Sequence, residues 1–265
     1  LQSWGIEPAA VIGHSVGEVA AACLTGALTL DESVRLVVAR ARLMEEATGS
    51  GRMAAVALPA AEVEAMLAEH GEALSLAASN GPGSSVIAGT ADAVDRMVAG
   101  WQARGIWTRL LPVDYAFHSA QMESISRRLV TELGTIERQS GAIPMFSTVT
   151  GSAIRGADLD GPYWGSNVRR TVRFRDAVEA AIDAGYRTFI EIAPHPVLSQ
   201  NLDECLAGRG LPHTAIPTLR RNQDGVRGML SALGALYERG ASVAWSALHP
   251  GRRQVVTLPA HPYIR

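Results

Sequence analysis

The sequence predicts an α/β protein whose core contains a mainly parallel sheet, with a smaller ferredoxin-like unit inserted into it. Two observations lead to this fold class. Segments with the pattern of short buried strands alternate with segments of helical period, which is typical of a parallel sheet covered by helices. Between residues 52 and 113 the order changes to βαββαβ, which is the split-βαβ pattern of ferredoxin-like units.

Outside the insertion, the expected elements of the core follow the chain in order. We predict core strands over residues 9–14, 145–147 and 188–192. We predict helices over residues 16–24, 31–47, 122–133, 175–183, 197–206 and 226–238. Thr29 and Glu32 have the spacing of a capping box, which marks the beginning of the second of these helices. From about residue 241 the sequence predicts an irregular tail.

Inside the insertion, the elements are shorter and more evenly spaced. Strands are expected over residues 53–58, 74–78, 84–88 and 106–113, and helices over residues 61–70 and 91–104. The turn Asn80-Gly81-Pro82-Gly83 separates the two middle strands. We therefore divide the chain into a core at residues 1–51 and 114–205, a small subdomain at residues 52–113, and a C-terminal helix and tail at residues 206–265.

The composition is that of an ordinary folded protein and excludes several classes of partner. Hydrophobic residues make up 47% of the 265 residues, and the net charge of −2 provides no concentrated basic face for a nucleic acid. No apolar run is long enough to cross a membrane, and Cys23 and Cys205 fit no metal-ligand spacing. We expect a cytoplasmic protein without a metal. Because the chain begins at Leu1 close to its strongest motif, we also expect a piece of a larger polypeptide.

The strongest motif is Gly13-His14-Ser15-Val16-Gly17, which follows a predicted strand and opens a predicted helix. This is the G-x-S-x-G turn of hydrolase-like cores, in which a tight bend exposes the serine oxygen. Glycines on both sides are expected to avoid a steric clash, and the Val16 amide at the helix start is expected to stabilise an oxyanion. The alternative is a glycine-rich turn with a capping serine, and the strand–turn–helix context favours the nucleophile.

One arginine of the helix predicted at residues 31–47 lies on its apolar face. Arg35 and Arg42 have acidic neighbours one turn away. The neighbours of Arg40 at that spacing are instead Leu36, Val37, Leu43 and Met44. A guanidinium there must reach solvent, form an internal ion pair, or bind the carboxylate of a ligand through paired hydrogen bonds. The residues alone leave these possibilities open.

A serine nucleophile needs a base, and histidine is the usual one because its pKa lies near neutral pH. His118, directly after the insertion, and His195, between two prolines, are the best candidates among the seven histidines. The residues around these two histidines favour His118 over His195 only slightly as the base. His14 adjoins the serine, but consecutive side chains diverge at such a turn.

The six residues Gly13-His14-Ser15-Val16-Gly17-Glu18 resemble the signature of acyltransferase domains of type I polyketide and fatty-acid synthases, and of stand-alone malonyl-CoA:acyl-carrier-protein transacylases. The resemblance covers nearly the whole chain. It implies that Ser15 takes an acyl group from coenzyme A and passes it to the phosphopantetheine thiol of a carrier protein. It further implies that His118, at the end of Tyr115-Ala116-Phe117-His118, is the base, and that Arg40 binds the free carboxylate of a malonyl-type substrate.

The resemblance also implies roles for residues around this pair. A backbone carbonyl within residues 167–174, at Arg173, is expected to orient His118, and Asn80 matches the family asparagine that lines the site. The substrate-binding residues expected from the resemblance are His14, Val16, Arg40, Asn80, Tyr115, Phe117 and Arg173. No tightly bound cofactor is expected, and acyl-CoA is the substrate.

The motif at residues 115–118 combines residues of two family patterns. Malonyl-selective domains usually have His-Ala-Phe-His, and methylmalonyl-selective domains have Tyr-Ala-Ser-His. A bulky Phe117 is expected to narrow the pocket, and Val16, where methylmalonyl domains often have glutamine, favours the same conclusion. Since one methyl group in a pocket is worth about 1–3 kcal/mol, malonyl-CoA is the favoured substrate and methylmalonyl-CoA the alternative.

The two ends of the chain carry further expectations. The family begins with a strand and a Gly-Gln-Gly loop whose glutamine gives a second oxyanion contact, and we expect this N-terminal part to be missing. Residues 258–263 resemble the linker that follows the domain in modular synthases. The expected partners are an acyl carrier protein and the adjacent ketosynthase and linker domains, with neither nucleic acid nor membrane.

Two other functions fit part of the sequence. A serine hydrolase of the esterase type has the chain order serine, carboxylate, histidine, and a patatin-like enzyme has a serine–aspartate dyad. The residues available for these roles are Asp160, Asp183, His195 and His213. Neither alternative explains the inserted unit or Arg40. A non-catalytic scaffold domain is the other class, and the presence of all three candidate catalytic residues opposes it.

Overall fold

The computed structural model describes residues 1–49, 51–212, 215–248 and 251. Its strands, numbered in chain order, are β1 Val11–Ile12, β2 Arg52–Val56, β3 Leu74–Gly81, β4 Ser84–Gly89, β5 Thr108–Leu110, β6 Met145–Ser147, β7 Ser152–Ile154, β8 Val172–Arg173, β9 Phe189–Glu191 and β10 Ala215–Pro217. Its helices are α1 Gly17–Thr25, α2 Leu30–Glu45, α3 Ala60–Leu67, α4 Ala91–Ala103, α5 Glu123–Leu133, α6 Gly161–Arg169, α7 Phe174–Asp183, α8 Ser199–Ala207, α9 Gly225–Glu238 and α10 Trp245–Leu248.

The core strands pair mostly in parallel, as the sequence predicted. β1 lies parallel to β6, with Val11 opposite Met145, and β9 lies parallel to β10. β7 turns back along β6 in the antiparallel direction. Helices α1, α2, α5 and α6 share one hydrophobic cluster whose fully buried members include Val19, Leu43, Leu129 and Trp164. Burial of these large apolar side chains fixes the position of the helices that carry the site.

The insertion forms an antiparallel sheet in the order β5-β2-β4-β3, with α3 and α4 packed against it. The predicted order of strands and helices is the observed one, and the predicted fold class is confirmed. Helices and strands share a cluster that includes Val63, Ile87, Val94 and Trp101. The sheet also accepts a strand from outside the insertion, because β8 runs parallel to β3 with Ala78 opposite Val172.

Helix α7 connects the two sheets. On one side its Ala177 and Ala181 pack with Phe146 of β6. On the other, its Val178 and Ile182 pack in a cluster that contains Ala78 of β3. Because α7 follows β8 directly, this double packing holds β8 at the edge of the inserted sheet, next to the serine turn.

Several elements were not predicted. The sequence did not predict α6, β7, β8, β10 and α10, and the predicted β1 and β5 extend beyond their observed ends. The missed strands have only two or three residues, too few for a periodic signal.

One predicted ion pair has a different partner: Arg42 pairs with Glu132 of the neighbouring helix α5 and not with acidic residues of its own helix. His213, His249, His261 and the linker resemblance at residues 258–263 lie outside the described residues.

Two kinds of feature are absent from the described ranges. No helix there has the length and apolar character needed to cross a membrane. In the same part of the chain, no group of three or more His, Cys, Asp or Glu side chains is placed to hold a metal ion.

Candidate active site

Ser15 lies in the turn between β1 and α1 and has a left-handed backbone, with φ of 54°. This conformation is unfavourable for a residue other than glycine and is typical of functional turns. A Cβ at Gly13 would lie 2.3 Å from the Cα of Glu18, so the turn closes too tightly for any side chain there. At Gly17 a Cβ would meet no atom of the described chain within 4 Å. The expected steric need for glycine is therefore observed at Gly13 and is wrong for Gly17.

His118 lies beside the serine although 103 residues separate them. Its Nε2 is 2.7 Å from Ser15 Oγ, and its Nδ1 donates to the carbonyl oxygen of Arg170 at 3.0 Å. Because the carbonyl can only accept, it fixes the tautomer with the proton on Nδ1 and leaves Nε2 free to accept. Like Ser15, His118 has a positive φ, of 57°.

The carbonyl that orients His118 is that of Arg170, so the expectation of Arg173 is wrong. Arg173 belongs to β8, where its backbone N–H donates to Thr148 O, and its side chain pairs with Asp176. The chain leaves α6 at residue 170 and has already joined the inserted sheet by residue 173. The carbonyl nearest the end of α6 is therefore the one that faces the imidazole.

The environment of His118 keeps its ring neutral. Burial lowers the pKa of His118 to about 3, and the positive charge of Arg40 and the proximity of His14 act in the same direction. The hydrogen bond to Arg170 O acts in the opposite direction. Since the pKa is lowered, the ring stays unprotonated at neutral pH and Nε2 is available as a base.

Arg40 points into the site and does not reach solvent, since only 4% of the residue is exposed. Its Nη2 donates to Ser15 Oγ at 3.0 Å. Its Nε and Nη1 are buried and have no hydrogen-bond partner among the described residues. Burial lowers the pKa of Arg40 to about 10, opposed by the negative charge of Glu18, so the guanidinium remains charged at neutral pH. Two unsatisfied, charged donors beside the serine suit an anionic ligand.

His14 and Asn80 connect the serine turn to the inserted sheet. His14 diverges from Ser15, as expected, and its Nε2 lies 2.9 Å from Asn80 Oδ1 at the end of β3. Burial lowers the pKa of His14, so its neutral ring donates to the amide oxygen. The amide nitrogen of Asn80 is then free to donate elsewhere.

The residues of the expected pocket wall are partly accessible. The rings of Tyr115 and Phe117 stack with their centroids 3.7 Å apart, and both pack against the hydrophobic clusters of the core and of the inserted sheet. Val16 is 49% exposed at the beginning of α1. Because the two aromatic rings stack, a change in the position of either ring breaks its contact with the other.

Four buried polar residues behind the serine were not identified from the sequence. The Glu18 carboxylate, which is fully buried, accepts hydrogen bonds from Thr148, Tyr163 and Asn167. Glu18 is the last residue of the six-residue signature, and that was the available signal. Tyr163 and Asn167 are one turn apart on α6, and without a prediction of this helix their common face was not visible.

The residues that a hydrolase would use have other partners. His195 is exposed and accepts the backbone N–H of Arg221. Asp160 caps the start of α6 through the Tyr163 amide. Asp183 forms an ion pair with Arg209. These contacts remove the basis for a Ser–Asp–His triad or a Ser–Asp dyad within the described part of the chain.

Comparisons with known proteins give a single family. A family model described as the acyl transferase domain matches residues 1–243. The spectinabilin polyketide synthase system protein NorA' of Streptomyces orinoci is 43% identical over 267 residues, covering 100% of this chain and 7% of that protein. Erythronolide synthase EryA3 of Saccharopolyspora erythraea is 40% identical over 269 residues, covering 100% of this chain and 8% of that protein. The chain spans less than a tenth of the length of these two relatives.

Solved structures show the same similarity. The acyltransferase domain from module 8 of the salinomycin polyketide synthase matches with a TM-score of 0.90 at 39% identity, over 93% of this chain and 58% of that chain. The acyl transferase domain of SpnD, in complex with 2-(pent-4-yn-1-yl)malonyl, matches with a TM-score of 0.82 at 35% identity, over 89% of this chain and 57% of that chain. Since the family model and these relatives span nearly all of the chain, it belongs to the acyl transferase domain family, as found in modular polyketide synthases.

Proposed function

We propose that this chain loads a carboxylated acyl group, with malonyl favoured, from coenzyme A onto Ser15 and passes it to the phosphopantetheine thiol of an acyl carrier protein. The observation that supports this most is the double contact of Ser15 Oγ. One side of the oxygen faces the basic Nε2 of His118, and the other accepts from Arg40. A base and a carboxylate-binding cation therefore meet at one nucleophile.

In the first half-reaction, Ser15 Oγ attacks the thioester carbonyl while His118 Nε2 accepts its proton. The Val16 amide at the start of α1 is the proposed donor to the oxyanion. When the tetrahedral intermediate collapses, the carbon–sulfur bond breaks and His118 returns the proton to the coenzyme A thiolate. The products are acyl-Ser15 and free coenzyme A, with His118 neutral again.

In the second half-reaction, the roles are reversed. The carrier thiol gives its proton to His118 as its sulfur attacks the acyl-serine carbonyl. The ester bond breaks, Ser15 Oγ takes the proton back, and the acyl group leaves as a carrier-bound thioester. Throughout both halves, the Arg170 carbonyl accepts from Nδ1 and holds the ring in place.

Arg40 has a second effect in this scheme. Its positive charge is one of the causes that lower the pKa of His118. A substrate carboxylate bound to the free Nε and Nη1 groups neutralises this charge, which makes His118 more basic when a carboxylated acyl group is present. An acetyl group lacks the carboxylate and leaves His118 less basic. The SpnD domain, bound to a substituted malonyl group, supports the same substrate class.

The preference for malonyl over methylmalonyl rests on Phe117. Its ring stacks on Tyr115, so it cannot move aside without disturbing that contact.

We further propose the domain division stated above, with an acyl carrier protein and neighbouring ketosynthase and linker domains as partners. The polyketide synthase relatives, far longer than this chain, support these partners.

The test is a competition. The full-length protein is incubated with an equimolar mixture of malonyl-CoA, methylmalonyl-CoA and acetyl-CoA, and the adduct on the Ser15 peptide is identified by mass spectrometry. We expect malonyl-Ser15 to dominate. Dominant acetylation would refute the role of Arg40, dominant methylmalonylation would refute the role of Phe117, and no adduct with any of the three would refute the transferase function.

A further inference from the structure

A buried carboxylate lies behind the serine turn and takes no part in the steps above. Glu18 has 0% exposure. Its Oε2 accepts from the Tyr163 hydroxyl at 2.6 Å and from Asn167 Nδ2 at 2.8 Å, and its Oε1 accepts from the backbone N–H of Thr148. Its position is therefore fixed by segments of chain that are distant in sequence.

Two of these partners also contact carbonyl groups of the serine turn. Asn167 Nδ2 lies 3.2 Å from the carbonyl oxygen of Ser15. The Thr148 hydroxyl lies 3.0 Å from the carbonyl oxygen of Gly13 and 3.0 Å from Glu18 Oε1. A left-handed backbone at a residue such as Ser15 is strained and persists only where its surroundings impose it. These contacts from distant segments help to hold the turn in that conformation.

The segment that holds Ser15 also holds His118. Asn167 lies near the end of α6, and the next residue, Val168, accepts the backbone N–H of His118 at 3.3 Å. Two residues further on, Arg170 O accepts from the imidazole Nδ1. Because residues 167–170 are continuous, a displacement of Asn167 changes the position of both members of the pair.

Glu18 also acts on Arg40. Its negative charge opposes the effect of burial on the Arg40 guanidinium. Burial raises the pKa of Glu18 itself, and the hydrogen bonds that it accepts oppose this rise. The nearby groups His14 and His118 have pKa values that burial lowers, and the negative charge of Glu191 also acts on His14. The effect of Glu18 on the reacting pair therefore follows from its hydrogen bonds, whose geometry is described above.

We propose that Glu18 is a positioning residue for acyl transfer: through Asn167 it holds the Ser15 turn and the residues that orient His118. This inference rests on the proposed function, because it assumes that acylation occurs at Ser15. The carboxylate itself touches neither the acyl group nor the transferred proton.

Glu18→Gln is the informative variant, since glutamine keeps the size but turns one oxygen into an N–H₂ group that faces donors. The single-turnover rate of malonyl transfer to Ser15 is measured in the full-length protein over a range of malonyl-CoA concentrations. We expect the rate constant at saturating malonyl-CoA to be about 10–100-fold lower, because small displacements of reacting groups reduce rates by this order. We expect little change in the half-saturating concentration, since Glu18 does not touch the acyl group.

Glu191→Gln is the matched control. Glu191 is also buried, with 8% exposure, and it accepts from the backbone N–H groups of Val197 and Leu198 near the start of α8. This variant loses a comparable buried carboxylate that has no hydrogen bond to Asn167 or Thr148. It is expected to lower Tm while leaving the rate constant of acylation at saturating malonyl-CoA close to the wild-type value.

The outcomes separate the two proposals. A wild type that never acylates Ser15 overturns the proposed function. A wild type that acylates, with Glu18→Gln matching its saturating rate constant, overturns the role of Glu18. A Glu18→Gln variant that only loses stability, as Glu191→Gln does, overturns it as well. If Glu18→Gln fails to fold, Asn167→Ala tests the positioning link: we expect a slower saturating rate, and a wild-type rate contradicts the proposal.

Discussion

The serine side and the histidine side of the active site differ in how much of the chain is needed to build them. Ser15 is presented by six consecutive residues, in which β1 ends, the chain bends at Gly13, and α1 begins at Gly17. His118 is held instead by carbonyls of residues 168 and 170, on a different part of the chain. The comparison teaches that a short local segment can present a nucleophile, with distant contacts supporting its backbone, while the base is positioned by tertiary contacts throughout.

The largest effect is expected on the histidine side. His118→Ala removes the group that accepts the Ser15 proton, and a general base contributes about 10²–10⁴-fold to such rates. Acylation at neutral pH, measured by rapid quench and mass spectrometry, should fall by this factor. His195→Ala is the control, because His195 is exposed and contacts Arg221. Equal losses in the two variants would contradict the assignment.

The wild-type pH profile tests the same side of the comparison. Because the pKa of His118 is lowered to about 3, the free enzyme keeps its base unprotonated far below the usual range of histidine. The acid limb of kcat/KM for malonyl transfer should therefore lie well below pH 6.5, the ordinary pKa of the side chain. An acid limb at or above that value would show that His118 is not in this environment during acylation.

Arg40 lies between the two sides, since it comes from α2 and contacts Ser15 Oγ. Arg40→Gln removes the charge that binds a carboxylate, and a hydrogen bond to a charged group is worth about 1.5–3 kcal/mol. Malonyl transfer should fall by about 10–150-fold relative to acetyl transfer, read as the ratio of the two adducts on Ser15. The acid limb should also move to higher pH, because a cause that lowers the His118 pKa is gone.

Arg42→Gln is the control for this change, since Arg42 is exposed and pairs with Glu132 on the surface. It should leave the ratio of malonyl to acetyl adducts unchanged. An unchanged ratio in Arg40→Gln as well would remove Arg40 from substrate binding.

The serine side is tested by its two glycines. A Cβ at Gly13 would collide with the backbone of Glu18, so Gly13→Ala should lower the free energy of unfolding by about 3 kcal/mol. Gly17 has open space around its Cα, and alanine there should raise stability by about 0.5–1 kcal/mol, since Gly17 begins α1. Denaturant titration measures both. Comparable destabilisation by the two variants would contradict the described turn.

The smallest effect is expected at the substrate wall. Phe117→Ser removes a ring that stacks on Tyr115 and should enlarge the pocket by enough to accept an extra methyl. We expect the ratio of methylmalonyl to malonyl adduct on Ser15 to rise by a factor corresponding to about 1 kcal/mol, at the lower end of the range for one methyl group. Tyr237→Ser, which removes an exposed aromatic residue on α9, should leave this ratio unchanged.

Part of the structure was readable from the sequence because its signals are local. The strand–turn–helix at Ser15, the capping box at Thr29 and the βαββαβ order of the insertion each depend on residues close together in the chain. The neighbours of Arg40 one turn away indicated for the same reason that it lies on the apolar face of its helix. The role of His118 required the family resemblance, since its own neighbours in sequence barely distinguish it from His195.

The sequence by itself determined the fold class, the serine turn and the unusual placement of Arg40, because periodicity, capping and steric limits act over a few residues. Only the tertiary structure decided that Arg170 and not Arg173 orients His118, and that Glu18, Thr148, Tyr163 and Asn167 form a network behind Ser15. The contacts of Glu18 with the other three residues of this network join positions more than one hundred residues apart. Their geometry is set by the packing of α6 against α5 and the core, a buried arrangement that no local pattern encodes.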